Sequence, residues 1–355
     1  MNEKKLDFLL GALSPTGYCG YYSQINNNPT GSTAALIKAA PGCGKSTLLK
    51  KLASELLRRG ETVELIHCSQ DPDSLDGVIC ARLHFAIVDS TPPHSMEPLY
   101  PIAYEDIVSL YDAVDREALQ SKRSEIVELF NKYKALQERA TRYITAAGSL
   151  LQDSMRVAGA FTDISKARSL ANALAHRYIV GSGNATEEIR LLSAISLQGQ
   201  LFYTETITKL AKTIVVFDDE YGVASKAMLY YLRDYALQKG CDIITCYCSM
   251  SPYDKIEHLF IPSLSLGFIT SNTYHTLSLA QQRTIHCTRF CDLQGIKQRR
   301  ARLRFNKKTI AELFSQASII QNEAKLTHDE LESYYTNALK YDVLDKAYDT
   351  ICARL

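Results

Sequence analysis

The sequence predicts an α/β protein with helices on both faces of each sheet, a three-layer α/β/α arrangement built twice in one chain and extended by long helices. Three observations predict it. A glycine-bearing loop lies between an apolar run and an amphipathic helix, a set of residues recurs about 180 positions later, and two long stretches carry apolar residues at helical spacing.

The loop is Ala39-Ala40-Pro41-Gly42-Cys43-Gly44-Lys45-Ser46-Thr47, preceded by the apolar run Ala34 to Ile37 and followed by a helix that begins near Lys45. Backbone must approach phosphate closely if successive N–H groups are to point at it, and Gly42 and Gly44 supply the tight turn that allows this. Pro41, Gly42, Cys43, Gly44, Lys45, Ser46 and Thr47 are therefore the expected nucleotide-binding residues. Lys45 bridges the β- and γ-phosphates, Ser46 ligates Mg²⁺ through its hydroxyl, and the positive end of the helix faces the negative charge. Only Ala39 departs from the usual pattern, standing where glycine is customary. In the helix, Leu48, Leu49, Leu52 and Leu56 form one face, and Arg58-Arg59-Gly60 closes it with cations and a C-terminal glycine. The alternation from Thr62 to Cys68 predicts the next strand. Strand, loop and helix in this order make a P-loop NTPase-like core. No Asn-Lys-x-Asp guanine-reading motif occurs, which favours ATP over GTP.

The repeat emerges when the chain is compared with itself. Gly60, Cys68, Ser69 and Pro72 return as Gly240, Cys248, Ser249 and Pro252, and Leu83, Ser90 and His94 return as Leu264, Ser271 and His275. Gly11-Ala12-Leu13-Ser14 is matched to Gly159-Ala160-Phe161-Thr162, and Glu128-Leu129-Phe130 to Glu312-Leu313-Phe314. These matches predict an internal duplication, with residues 1–152 as a nucleotide-binding repeat and 153–355 as a degenerate one, each with a helical extension. At an offset of 180, Ala39 and Ala40 become Asp219 and Glu220, while Gly44 and Lys45 become Ala224 and Ser225. Two carboxylates beside a missing lysine repel phosphate, so the second copy is expected to support the first.

A rival reading takes Ile214-Val215-Val216-Phe217-Asp218-Asp219-Glu220 as a Walker B strand of one large ATPase. Asp218 or Asp219 would then hold Mg²⁺ and Glu220 would polarise the attacking water. The two readings agree if the acids of one copy face the loop of the other.

Further candidates surround the loop. Asp71, Asp73 and Asp76 place three carboxylates within six residues at the end of a strand, where phosphoryl-transfer folds carry base or acceptor-binding groups; Asp-Pro and Asp-Gly are also turn dipeptides. Phe85 to Asp89 reads as an apolar strand ending in an acid, and Asp89 reaches the Mg²⁺ shell if that strand lies beside the loop strand. Ser90 follows it, so the usual hydrolytic glutamate is absent there. His94, in a proline-stiffened turn, is a candidate catalytic or phosphate-sensing group. Asn26 to Gly31 and Ile179 to Thr186 read as connecting loops.

Helical stripes run from Leu119 to Ala147 and from Leu331 to Ile351, as core or as a lid beside the nucleotide. Seven cations between Lys297 and Lys308 form the one dense basic run, a solvated face or a nucleic-acid track.

Over the 355 residues, Lys plus Arg number 40 and Asp plus Glu 39, so no global field favours nucleic acid or an anionic membrane. No segment has the length of a membrane span. Ten cysteines in a chain of this length beside an ATP-type site suit a reducing cytosol, and a cytoplasmic location is expected. Cys246, Cys248, Cys287 and Cys291 lack zinc-site spacing.

At Gly11 to Gly17, the phosphate loop, His67 to Asp76, Thr91 to His94 and Tyr100-Pro101, the chain resembles a bacterial family of P-loop ATPases with duplicated cores. The resemblance extends over nearly the whole length. It implies a cytoplasmic ATP-binding protein, and relatives in that family can carry a second phosphate loop that this chain lacks. The expected activity is that of a Mg²⁺-ATP-binding NTPase, slow or stimulated by a protein partner. A small-molecule phosphotransferase with a hydroxyl acceptor, or a non-hydrolytic nucleotide sensor, is the alternative.

Overall fold

The structure is a computed structural model that describes residues 4–27, 33–279 and 282–352. Of the loop expected at Asn26 to Gly31, Asn28 to Gly31 lie outside the described residues. The chain opens with β1 (Lys5–Phe8) and the hairpin β2 (Gly11–Ser14) and β3 (Gly17–Gly20). Then follow β4 (Thr33–Lys38), α1 (Lys45–Arg58), β5 (Val63–His67), β6 (Leu75–Cys80), β7 (Phe85–Asp89) and β8 (Glu105–Ser109). A short helix α2 (Arg116–Ser121), capped by the Asp115 carboxylate, leads into α3 (Arg123–Gly159) and α4 (Ile164–Tyr178).

The same succession then recurs. The elements are β9 (Glu187–Arg190), the hairpin β10 (Ser193–Ser196) and β11 (Gly199–Phe202), α5 (Thr204–Leu210), β12 (Thr213–Asp218) and α6 (Val223–Gln238). They continue with β13 (Ile243–Tyr247), β14 (Ile256–Ile261), β15 (Leu266–Ser271), β16 (Arg283–His286), α7 (Leu293–Gln298), α8 (Arg300–Thr336) and α9 (Tyr341–Cys352). The first sheet has the order β1-β5-β6-β7-β4-β8 and the second, read from its other edge, β9-β13-β14-β15-β12-β16. In each, one strand (β6 or β14) runs antiparallel to its neighbours.

Strand alternation sends side chains to both faces of each sheet. From β4, Ala35 and Ile37 join a core with Leu49, Leu52 and Leu56 of α1, while Leu36 joins a different one. That second core contains Ile66 and Val88 of the first sheet together with Val216, Ile244, Phe260 and Ile269 of the second, and Tyr22, Ile207 and Ala211 from short segments. A layer of long helices thus lies on one face of each sheet, and the other faces share one core. This corrects the three-layer expectation. Strands buried on both faces read as apolar whether a helix or a sheet covers them.

The expected match of Gly11–Ser14 with Gly159–Thr162 is also corrected. Gly159 ends α3, and the hairpin that recurs is at Ser193–Ser196. Residue 152, expected as a boundary, falls inside α3.

α3 and α8, each of 37 residues, run antiparallel: Leu129 meets Leu331, Ala140 meets Ile320, and Asp153 pairs with Arg302. Each carries the chain to the opposite half. Ala167, Ala171 and Leu174 of α4 pack on Leu229 and Leu232 of α6, while Ile351 of α9 packs into the core beneath α1. The outer face of each sheet is therefore finished by a helix from the other half. All ten cysteines are unpaired, and no described helix is long and apolar enough to cross a membrane.

Burial of His258 in β14 has a consequence for acid stability. Burial, with His275 adding to it, depresses its pKa to about 3, against the opposing pull of Glu257. The unfolded chain takes up a proton near 6.5 and the folded one does not, so stability present above that pH is lost as pH falls towards 3. At pH 4 the loss from this group is about 3 kcal/mol. Urea midpoints of wild type and His258→Gln, compared at pH 7 and pH 4, are expected to converge or cross as pH falls. A constant gap would contradict this.

Candidate nucleotide site

The phosphate loop joins β4 to α1. Gly42 and Gly44 have φ of +67° and +72°, the left-handed region that side-chain-bearing residues avoid, and Gly44 is the residue from which α1 starts. The turn leaves the first N–H groups of α1 without helical partners at its N-terminal end. Lys45 folds back over it, its Nζ 3.1 Å from the Ala40 carbonyl oxygen and 3.6 Å from Asp89 Oδ2.

Asp89 is there because β7 pairs in parallel with β4, placing Asp89 opposite Ile37. The Thr91 N–H and hydroxyl both donate to Asp89 Oδ1, at 3.0 and 2.7 Å. Burial would raise its pKa, but His94 and Lys45 outweigh burial and hold it below the ordinary value. His94 Nε2 lies 3.7 Å from Asp89 Oδ2, and neither ring nitrogen makes a hydrogen bond. Its ring stacks on Tyr22 with centroids 4.9 Å apart. Burial alone would depress His94; the Asp89 and Asp76 carboxylates reverse that and raise it.

Asp76 completes the group. Its carboxylate, that of Asp89 and a His94 nitrogen lie within 4.8 Å of one another. Burial pushes Asp76 up to about 6, against the pull of His94, and Tyr22 donates to it at 3.3 Å. Ser46 Oγ accepts the Leu75 N–H at 3.0 Å, which ties the loop to the residue before Asp76. An oxygen-rich set of Ser46, Asp76 and Asp89 beside a lysine fits the preference of Mg²⁺ for hard ligands.

The other predicted residues lie elsewhere. Asp71 accepts from Ser74 at 3.0 Å and faces Lys325 of α8 at 3.5 Å, in the turn before β6. Asp73 is exposed in that turn. The predicted turn at Asp76-Gly77 is strand β6 instead: a side chain at Gly77 would run into Val88, so glycine is required by close strand packing. Glu220 is not part of the cluster. Its carboxylate holds Thr273 and Lys307, Asp218 pairs with His286, and Asp219 accepts the Ser225 N–H at 2.8 Å. The Walker B reading of Ile214–Glu220 fails because β12 lies in the second sheet, between β15 and β16. There it occupies the position of β4, and the residue corresponding to Gly44 is Gly222, also the start of its helix at φ +72°. The pairing of Gly44 and Lys45 with Ala224 and Ser225 is corrected to Gly222 and Val223, since the connecting loop is shorter.

Sequence reasoning missed the cover. The Gly42 N–H donates to Glu332 Oε1 at 3.1 Å, and the Thr336 hydroxyl reaches the Gly42 carbonyl oxygen at 3.3 Å. Leu344 lies over Gly44. The last turns of α8 and the start of α9 thus close the loop, with a carboxylate on an N–H that the motif reserves for phosphate. No local signal announces this contact, 290 residues apart in the chain.

Residues 35–92, from β4 to the turn after β7, match the family model of the viral superfamily 1 RNA helicase core domain. No curated protein and no solved structure matches the chain. The match covers the loop, α1 and the strands that carry Asp76 and Asp89, and marks this segment as similar to a nucleotide-binding core of the P-loop NTPase type. It carries the P-loop part of the resemblance and not its bacterial family.

Proposed function

We propose that the protein is a Mg²⁺-dependent, ATP-binding NTPase of one active loop, whose second half is a duplicated scaffold and whose turnover is gated by α8 and α9. The observation that carries the reading is the convergence of Lys45, Asp89, Asp76 and His94 behind a left-handed glycine turn. Lys45 and the N–H groups of Gly44 to Thr47 would bind the phosphates; Ser46 and Asp89 would hold the metal. A bound Mg²⁺ neutralises charge on the phosphates. Asp76, whose carboxyl burial pushes up to about 6, takes the proton of the attacking oxygen, and the His94 ring, raised by the Asp89 and Asp76 carboxylates, lies beside it.

Glu332 is the internal competitor. A charge-assisted hydrogen bond to Gly42 must be given up before phosphate enters, at a cost of about 1.5–3 kcal/mol. Glu332→Ala is expected to bind Mg²⁺-ATP about tenfold more tightly than wild type by fluorescence titration, with ADP release at least as fast. Equal affinity in the two proteins would remove the gating role. Absence of nucleotide binding in both would end the NTPase reading.

The same assay separates the other readings. ADP formation that depends on an added hydroxyl acceptor makes the protein a phosphotransferase, and tight binding without turnover makes it a sensor. The helicase-core similarity favours single-stranded RNA as the stimulating partner to be tried.

A further inference from the structure

Among the cavities lined by described residues, one of about 460 Å³ lies in the second half, away from the phosphate loop. Its place follows from topology. Glu220 follows β12 and Asn272, Tyr274 and His275 follow β15, so the cavity opens beyond the carboxyl ends of these parallel strands, where the connections diverge to opposite sides. That crevice is where open α/β sheets bind ligands. It is also the counterpart of the covered loop. Counting from the start of each 37-residue helix, Leu151 and Met155 of α3 stand where α8 has His328 and Glu332. Glu332 plugs the loop of the first half, whereas Met155 only lines a wall of the second.

The second half has no phosphate cradle. Its loop is shorter and Asp219 takes the N–H of Ser225 at the start of α6. Cations on side chains replace it. Arg300, Arg304 and Lys307 share one face of α8, at spacings of four and three, and Lys297 of α7 continues the line. Lys307 pairs with Glu220 at 2.8 Å. Lys297, Arg300 and Arg304 have no hydrogen-bond or ion-pair partner among the described residues. Deeper in, Lys255 is buried 3.4 Å from Glu257, which also faces His275 at 3.8 Å. Five lining cations against two carboxylates leave a charge of +3. The remaining wall is apolar and aromatic, with Ile195, Tyr274 and Phe314.

We propose that this cavity is a second ligand site, for a small phosphomonoester with an aromatic or apolar body. The guanidinium groups of Arg300 and Arg304 take the phosphate in paired hydrogen bonds, and the body lies against the wall formed by Tyr274 and Phe314, whose rings meet edge to face 5.7 Å apart. A dianionic head matches the unpaired cations better than a carboxylate does. The basic run read in the sequence as a solvated face or nucleic-acid track is divided: four of its members line the cavity, while Arg302 is bound to Asp153.

The test is a calorimetric titration of the full chain with 1-naphthyl phosphate, beside 1-naphthol and inorganic phosphate. Binding of one equivalent is expected, at least tenfold tighter than either fragment. The exposed double substitution Arg300→Gln/Arg304→Gln should weaken it at least tenfold with an unchanged melting curve, and Lys45→Ala should leave it unaltered. No binding at millimolar ligand, or binding indifferent to the arginines, overturns the proposal. Loss of binding in Lys45→Ala assigns the ligand to the phosphate loop and overturns it equally. Displacement of the ligand by a single-stranded RNA with a steep salt dependence would make the arginines a backbone track instead.

Discussion

Lys45→Ala is expected to lower ATP turnover by about 10²–10³-fold and to weaken nucleotide binding. The ammonium group lies between the Ala40 carbonyl and Asp89, and its own site is largely buried. Its removal leaves phosphate without the cation that balances the developing charge, and leaves two buried carboxylates, Asp76 and Asp89, close to each other and to the His94 ring. Lys45→Arg is expected to rescue little, because a planar guanidinium cannot replace a point charge in a space shaped by Gly42 and Gly44. ADP release and nucleotide affinity, measured on wild type and both variants, decide the matter. Turnover that survives in Lys45→Ala would show that any hydrolysis comes from elsewhere.

The largest loss of stability is expected at Arg190, in β9 at the edge of the second sheet. Its Nε donates to Glu64 Oε2 at 2.7 Å, Nη2 reaches Glu188 at 3.0 Å and Nη1 the Ile189 carbonyl at 3.0 Å. Arg190 and Glu64 are both buried, and they join β9 of the second half to β5 of the first. Arg190→Met strands a carboxylate in a dry interior and should cost about 3–5 kcal/mol. Arg190→Met combined with Glu64→Leu should recover most of it, since an apolar pair of similar volume needs no counter-charge. Urea denaturation gives both values. A double variant as unstable as the single one would mean that packing, not the unpaired charge, sets the loss.

The parts of this architecture that depend on neighbours in sequence were legible. The loop, α1 and the strands β5 and β7 follow from local pattern, and Asp89 at the end of β7 is placed by the pairing of β7 with β4. The recurrence of Leu83, Ser90 and His94 at Leu264, Ser271 and His275 coincides with matching positions of β7 and β15. What was not legible has three physical causes. A loop that is shorter in one half shifts the register, so a constant offset of 180 sets Gly44 against Ala224 rather than against Gly222. Asp76-Gly77 has the composition of a turn, while the space beside Val88 makes it a strand. Glu332 and Gly42 meet only because α8 crosses from one half to the other, and no periodicity records such a crossing. The shared core is hidden similarly: Leu36 and Phe260 look the same in sequence whatever covers them.

That crossing has a consequence during synthesis. Glu332 is 290 residues downstream of Gly42, so a ribosome working at about 5–20 residues per second leaves the loop bare for about 15–60 s. The outer face of the first sheet also waits for Ile351 over that interval. On the proposed gating, a nascent chain would meet nucleotide with nothing to displace, whereas the finished protein would first have to release a carboxylate. Nucleotide taken up early would hold α8 and α9 away as they arrive, and the order of synthesis and binding, rather than affinity alone, would set which form accumulates.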